Sequence, residues 1–134
     1  ILVAHGGDEK HIPISKKKLA MSGFDYVALG HIHKPEMDEK NRMAYCGSLE
    51  PIDMNDMGER GYIYGEVTKN SLELEFVPFA KRIYKEIDFQ VTTTATNMEI
   101  RHRLTDMIEE NGKDNMFKIF FSGYRDPDFE INEK

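Results

Sequence analysis

Apolar residues open the chain as an unbroken run, Ile1-Leu2-Val3-Ala4, which stops at His5-Gly6-Gly7. The pattern predicts a short buried strand running into a tight turn. A second run, Tyr26-Val27-Ala28-Leu29, lies between Asp25 and Gly30 and predicts another buried strand. Between the two, Ser15 to Ser22 reads as a short helix capped by Ser15 and stopped by Gly23. Met43 to Cys46 predicts a third short strand, followed by a turn at Gly47-Ser48. Pro51 to Arg60 mixes Pro, Asp, Asn and Gly and reads as an irregular loop. A hairpin follows, Tyr62 to Val67 and Leu72 to Val77 around Lys69-Asn70-Ser71. In its second arm Leu72, Leu74 and Phe76 alternate with Glu73 and Glu75, which directs one face to a core.

Past Pro78 the pattern changes. Ile83 to Val91 alternates apolar and charged residues as a half-exposed strand does. Thr96 and Glu99 have the spacing of a capping box, and Ile100, Leu104, Met107 and Ile108 then share one helical face. Gly112 stands where a left-handed residue ends a helix. Phe117, Ile119 and Phe121 alternate as a further strand. This β-α-β unit reads as a small separate domain, residues 81–134, after a first domain over residues 1–80.

The 134 residues include 24 acidic and 18 basic side chains, a formal net charge of −6, with acidic groups in excess on both sides of residue 80. Overall charge therefore argues against a protein that holds nucleic acid by bulk electrostatics. No apolar run approaches the roughly 20 residues that span a bilayer, which argues against a membrane protein. The single cysteine, Cys46, excludes an internal disulfide and fits a reducing compartment. An apolar strand at the first residue, with no initiating methionine, leads to the expectation of a fragment of a longer protein.

The candidate chemistry sits at strand ends. Gly30-His31-Ile32-His33 directly follows the second strand, and histidines at i and i+2 of an extended segment project to one side. Ligands in α/β proteins bind beyond the carboxyl ends of the strands, and neutral imidazole suits manganese, iron or zinc. The alternative is a pair of polar loop histidines bonded to backbone carbonyls. His5, also placed just past an apolar strand, adds a third imidazole to the metal reading. Lys16-Lys17-Lys18 reads as a solvated helix face and Cys46 as a small core residue. Met54 and Met57 read as gap-filling contacts. His11 and His102 lie outside these patterns.

Ala4-His5-Gly6, then Gly23-Phe24-Asp25-Tyr26-Val27-Ala28-Leu29-Gly30-His31-Ile32-His33-Lys34-Pro35, then Ala44-Tyr45-Cys46-Gly47-Ser48-Leu49-Glu50-Pro51 closely resembles the calcineurin-like metallophosphoesterases. Among these it is similar to the SbcD-type DNA repair exonucleases, over residues 1 to about 90 in family order; the tail matches their cap domain in element pattern only. The resemblance implies an α/β fold: the C-terminal half of a two-sheet metallophosphoesterase sandwich followed by a small β-α-β cap. It implies two divalent metal ions, commonly manganese, with His5 and His31 on the second ion and His33 on the first. The family's Asp-x-His, Gly-Asp and Gly-Asn-His motifs lie upstream of the lone histidine and have no counterpart here. The resemblance thus implies half an active site, and an isolated chain without nuclease activity.

By the same resemblance Gly47 and Ser48 would place a backbone amide near substrate phosphate, and Arg101, Arg103 and Lys118 in the cap would contact DNA. The implied parent is a cytoplasmic DNA exonuclease or endonuclease that works in DNA repair with an SbcC-type ATPase, as a homodimer. Two rival readings stand beside it: a small-substrate phosphodiesterase of the same superfamily, and a non-catalytic fragment that binds DNA or a partner.

Overall fold

A computed structural model describes residues 1–7, 10–124, 126 and 128. The chain forms two compact units, Ile1–Ile83 and Tyr84–Lys134.

The first unit is built on a four-stranded sheet. Strand β1 (Leu2–His5) pairs in parallel with β2 (Val27–Gly30), which pairs in parallel with β4 (Met43–Tyr45). Strand β3 (Glu36–Asp38) lies antiparallel on the outer edge of β4. Helix α1 (Lys16–Ala20) lies in the connection between β1 and β2. It starts as expected, with the Ser15 hydroxyl accepting from the Lys18 amide at 3.3 Å, and ends at Met21, sooner than the sequence pattern implies.

Parallel strands joined by a crossover bury the side chains that face the crossover. Val27, Leu29, Met43 and Tyr45 form that core, each at most 2% exposed, with Leu2, Ala4, Ile14, Leu19 and Ile32 packed on it. The reading of residues 1–4 as a buried strand is corrected here. Only alternate side chains face the core, and Val3, on the opposite face of an edge strand, is 78% exposed. Cys46 is likewise not a core residue. It lies exposed just past β4 and lines, with Val3, Ala28 and Ile63, an open apolar groove of about 510 Å³ on that opposite face.

The edge strand β3 has no counterpart among the sequence expectations. Glu-Met-Asp shows no apolar alternation, and its pairing with Met43–Tyr45 is set by the turn, where Asp38 accepts from the Asn41 backbone and side chain at 3.1 and 2.8 Å. Lys16 is not merely solvated: it reaches Glu36 at 2.8 Å and ties α1 to this edge. The hairpin of β5 (Gly61–Val67) and β6 (Leu72–Pro78) forms as the pattern predicts, with Leu72, Leu74 and Phe76 half-buried. Arg42 fastens its turn, donating to the carbonyls of Thr68 at 2.6 Å and Ser71 at 3.1 Å, and to that of Asp25 at 2.6 Å.

The second unit is a β-α-β element: β7 (Tyr84–Val91), α2 (Asn97–Glu110) and β8 (Met116–Gly123), with the strands parallel. Its core is Phe89, Val91 and Ile100, with Ala95, Leu104, Met107 and Ile119 packed against it. The capping box is present in full. The Thr96 hydroxyl accepts from the Glu99 amide, and the Glu99 carboxylate accepts from the Thr96 amide at 2.8 Å. No helix among the described residues is long and apolar enough to cross a membrane.

Candidate functional site

The register of β1 against β2 decides where the first two histidines meet. His5 pairs with Gly30, so the residue after Gly30 emerges beside the end of β1. His31 adopts φ 99°, a region that side-chain-bearing residues seldom occupy. The result is a contact between the His5 and His31 rings, edge to face, with centroids 5.2 Å apart. Gly30 makes room for it, since a Cβ there would stand 3.0 Å from His5 Nδ1.

The two loops that carry the histidines are pinned by the end of β4. The buried Tyr45 hydroxyl donates to the Gly6 carbonyl at 3.0 Å, which fixes the chain just past His5. The Ser48 amide donates to the His33 carbonyl at 3.0 Å, which fixes the other loop. Gly47 permits this approach: a Cβ at its φ of 78° would stand 2.7 Å from the His33 carbonyl oxygen. Gly47-Ser48 is therefore a clamp on the histidine loop. The Ser48 N–H is engaged by the His33 carbonyl in this arrangement.

His33 has a different neighbour. Its Nδ1 lies 3.3 Å from Oδ2 of Asp56, a carboxylate in the irregular loop that is only 7% exposed. The same oxygen accepts from the Ile52 amide at 2.9 Å, and Oδ1 faces the buried Arg60 guanidinium at 3.6 Å. Burial pushes the Asp56 carboxyl up, but the Ile52 amide, His33 and Arg60 outweigh it and hold the group below the ordinary carboxylate range. Neither Asp56 nor Arg60 stood out in the sequence. An acidic residue in a Pro/Gly/Asn loop reads as solvated, and their i, i+4 spacing means little outside a helix.

No protein-family model matches the chain. The chain is 30% identical over 106 residues to YhaO of Bacillus subtilis (strain 168), an uncharacterized metallophosphoesterase. That match takes in 78% of the chain and 25% of the relative, so the chain spans about a quarter of the length of the curated protein it matches. The similarity supports the calcineurin-like metallophosphoesterase superfamily. The mixed α/β architecture, with several sheets and few helices, is consistent with part of a metallophosphoesterase fold.

Metallophosphoesterases use divalent metals, so the donors can be tested for fit. The donor chemistry fits: two imidazoles in contact at the carboxyl edge of parallel strands suit a borderline transition-metal ion. The set does not close on itself, since no group of three or more His, Cys, Asp or Glu able to hold an ion occurs among the described residues. The structure thus brings His5 and His31 together and sets His33 with Asp56.

The basic residues of the second unit are partly engaged within it. Arg103 lies over the Phe89 ring at 4.7 Å and donates to the Gln90 carbonyl at 3.3 Å. Lys118 lies over the Phe120 ring at 4.9 Å and faces Glu86 at 3.7 Å. Arg101 is exposed on α2.

Proposed function

We propose that the chain is part of a metal-dependent phosphodiesterase that cleaves DNA. The observation that carries the hydrolase reading is the contact of the His5 and His31 rings at 5.2 Å, at the carboxyl ends of adjacent parallel strands. His5 and His31 would hold one ion through neutral imidazole nitrogens, and His33 would offer a nitrogen to a second. Manganese is the metal of this proposal. Divalent ions, when bound, acidify a coordinated water and neutralise charge developing on phosphoryl oxygens. The residues of this chain hold and orient the donors: Gly30 seats the His5 ring, Tyr45 and Ser48 fix the two loops, and Asp56 faces His33.

The DNA reading draws on the resemblance to SbcD-type exonucleases and on the β-α-β unit that follows the first unit. An SbcC-type ATPase and a second copy of the parent protein are its proposed partners. One observation favours a small-substrate phosphodiesterase instead. Arg103 and Lys118 are engaged with Phe89, Gln90, Phe120 and Glu86, which leaves fewer cations for a phosphate backbone. The test assays the full-length protein with manganese on linear duplex DNA and on a chromogenic phosphodiester, beside its His31→Ala variant. Metal-dependent cleavage of both substrates that is lost in the variant is the expected result. Cleavage of the small substrate alone would establish the second reading, and activity unaffected by His31→Ala would overturn both.

A further inference from the structure

We infer that Asp56 is a positioning residue that holds His33 as the Nδ1–H tautomer and leaves Nε2 as its outward donor. A neutral imidazole carries one proton, and the hydrogen bond made by one nitrogen decides which nitrogen is free to bind something else. In His33 the nitrogen with a carboxylate partner is Nδ1, 3.3 Å from Asp56 Oδ2. An acceptor-only carboxylate at that distance favours a proton on Nδ1.

Asp56 is suited to this task because it is itself held from three sides. The Ile52 amide donates to Oδ2 at 2.9 Å, the Asp56 amide donates to the Asp53 carbonyl at 3.0 Å, and Arg60 faces Oδ1 at 3.6 Å. Arg60 is 4% exposed and anchored in turn, its carbonyl accepting from the Phe79 and Ala80 amides at 2.9 and 3.1 Å. The His33 side chain is itself 44% exposed. With one nitrogen against a buried and fixed carboxylate, the second nitrogen is the one left to bind a further group. Carboxylate–histidine pairs of this kind fix the orientation and raise the basicity of metal-binding imidazoles, and losing the carboxylate typically costs 10–100-fold in metal affinity.

The inference rests on the proposed function for what Nε2 binds, but not for the tautomer. The experiment therefore has two readouts. Long-range proton–nitrogen correlation spectra of the metal-free chain at pH 8 read the His33 tautomer directly. The expected result is a protonated Nδ1 and a bare Nε2 in the wild type, and loss of that preference in Asp56→Asn, whose amide can also donate to Nδ1. A wild-type His33 protonated at Nε2 would overturn the inference, whether or not the variant folds. Manganese titration of the full-length protein, followed by electron paramagnetic resonance, is the second readout. Asp56→Asn should weaken affinity about 10–100-fold, with recovery in Asp56→Glu. Unchanged affinity in Asp56→Asn would overturn the positioning role, whereas absence of manganese binding in the wild type, with the tautomer as expected, would overturn only the metal reading.

Discussion

Gly30 and His5 are in contact across β1 and β2: a Cβ built on Gly30 would stand 3.0 Å from Nδ1 of the His5 ring. Cβ atoms seldom come that close, so the ring must give way in Gly30→Ala. The backbone of β2 has no need to change, since it is ordinary strand at this residue. The variant should stay folded, lose about 1–3 kcal/mol as overpacked sites do, and separate the two imidazoles. Chemical denaturation gives the stability change. Cobalt titration followed by its visible spectrum gives the second effect, a weaker binding isotherm in Gly30→Ala than in wild type.

His31 is held at φ 99° with a side chain attached. A non-glycine residue in such a region costs on the order of 1–3 kcal/mol, and glycine escapes most of that strain. His31→Ala removes the imidazole and keeps the strain, while His31→Gly removes both. His31→Gly should therefore be the more stable of the two by about 1 kcal/mol, after glycine's added freedom in the unfolded chain is offset. Both should lose metal affinity alike. Thermal unfolding of the two variants side by side checks this, and equal melting temperatures would contradict it.

The parts legible in the sequence were those where glycine interrupts an apolar run. His5 and Gly30-His31-Ile32-His33 stand out because a strand end is marked twice, by apolar residues before it and glycine at it. The capping box at Thr96 and Glu99 was legible for a similar reason, as both partners are local. What escaped depends on contacts across the chain. Asp56 acquires its role only when the loop folds back on His33, 23 positions away by number. The edge strand Glu36–Asp38 is dictated by its neighbour, not by its own pattern. Val3 and Cys46 are exposed although their apolar runs predict burial, because a run of apolar residues does not state that one face of its sheet is open.

The capping box makes the second unit sensitive to acid. The Thr96 amide, and after it the Thr96 hydroxyl, hold the Glu99 carboxyl below its ordinary value near 4.5. A carboxyl lowered on folding contributes stability that is fully present above its unfolded value and is lost as pH falls through the folded one. Protection of the amides at the start of α2, relative to their intrinsic exchange rates, should thus be independent of this group above about pH 5.5 and fall as the pH drops below 4.5. Glu99→Gln should remove that part of the pH dependence. Thr96→Ala deletes the cap itself and should cost about 1 kcal/mol at neutral pH. Exchange rates of the Ile100 amide across pH in the three proteins are the measurement.

The two units should separate chemistry from substrate class. His31 and His33 are proposed to act through metal ions, which serve any phosphodiester, so alanine at either should lower activity on duplex DNA and on a chromogenic diester together. Removing a direct donor should exceed the 10–100-fold loss typical of a supporting residue. Arg101 and Arg103 on α2 are proposed to meet the phosphate backbone, where contacts fix register and do no chemistry. Arg103 must leave Gln90 and the Phe89 ring to do so. Reversing both charges should weaken DNA cleavage and leave the small diester untouched. Each lost phosphate contact should also lower the slope of log affinity against log salt by about 0.9. The measurement is cleavage of both substrates by the full-length protein across salt concentrations, in wild type, His33→Ala and the Arg101→Glu, Arg103→Glu double variant. An unchanged salt slope in the double variant would remove these arginines from the interface, and equal losses on both substrates would contradict the division between the units.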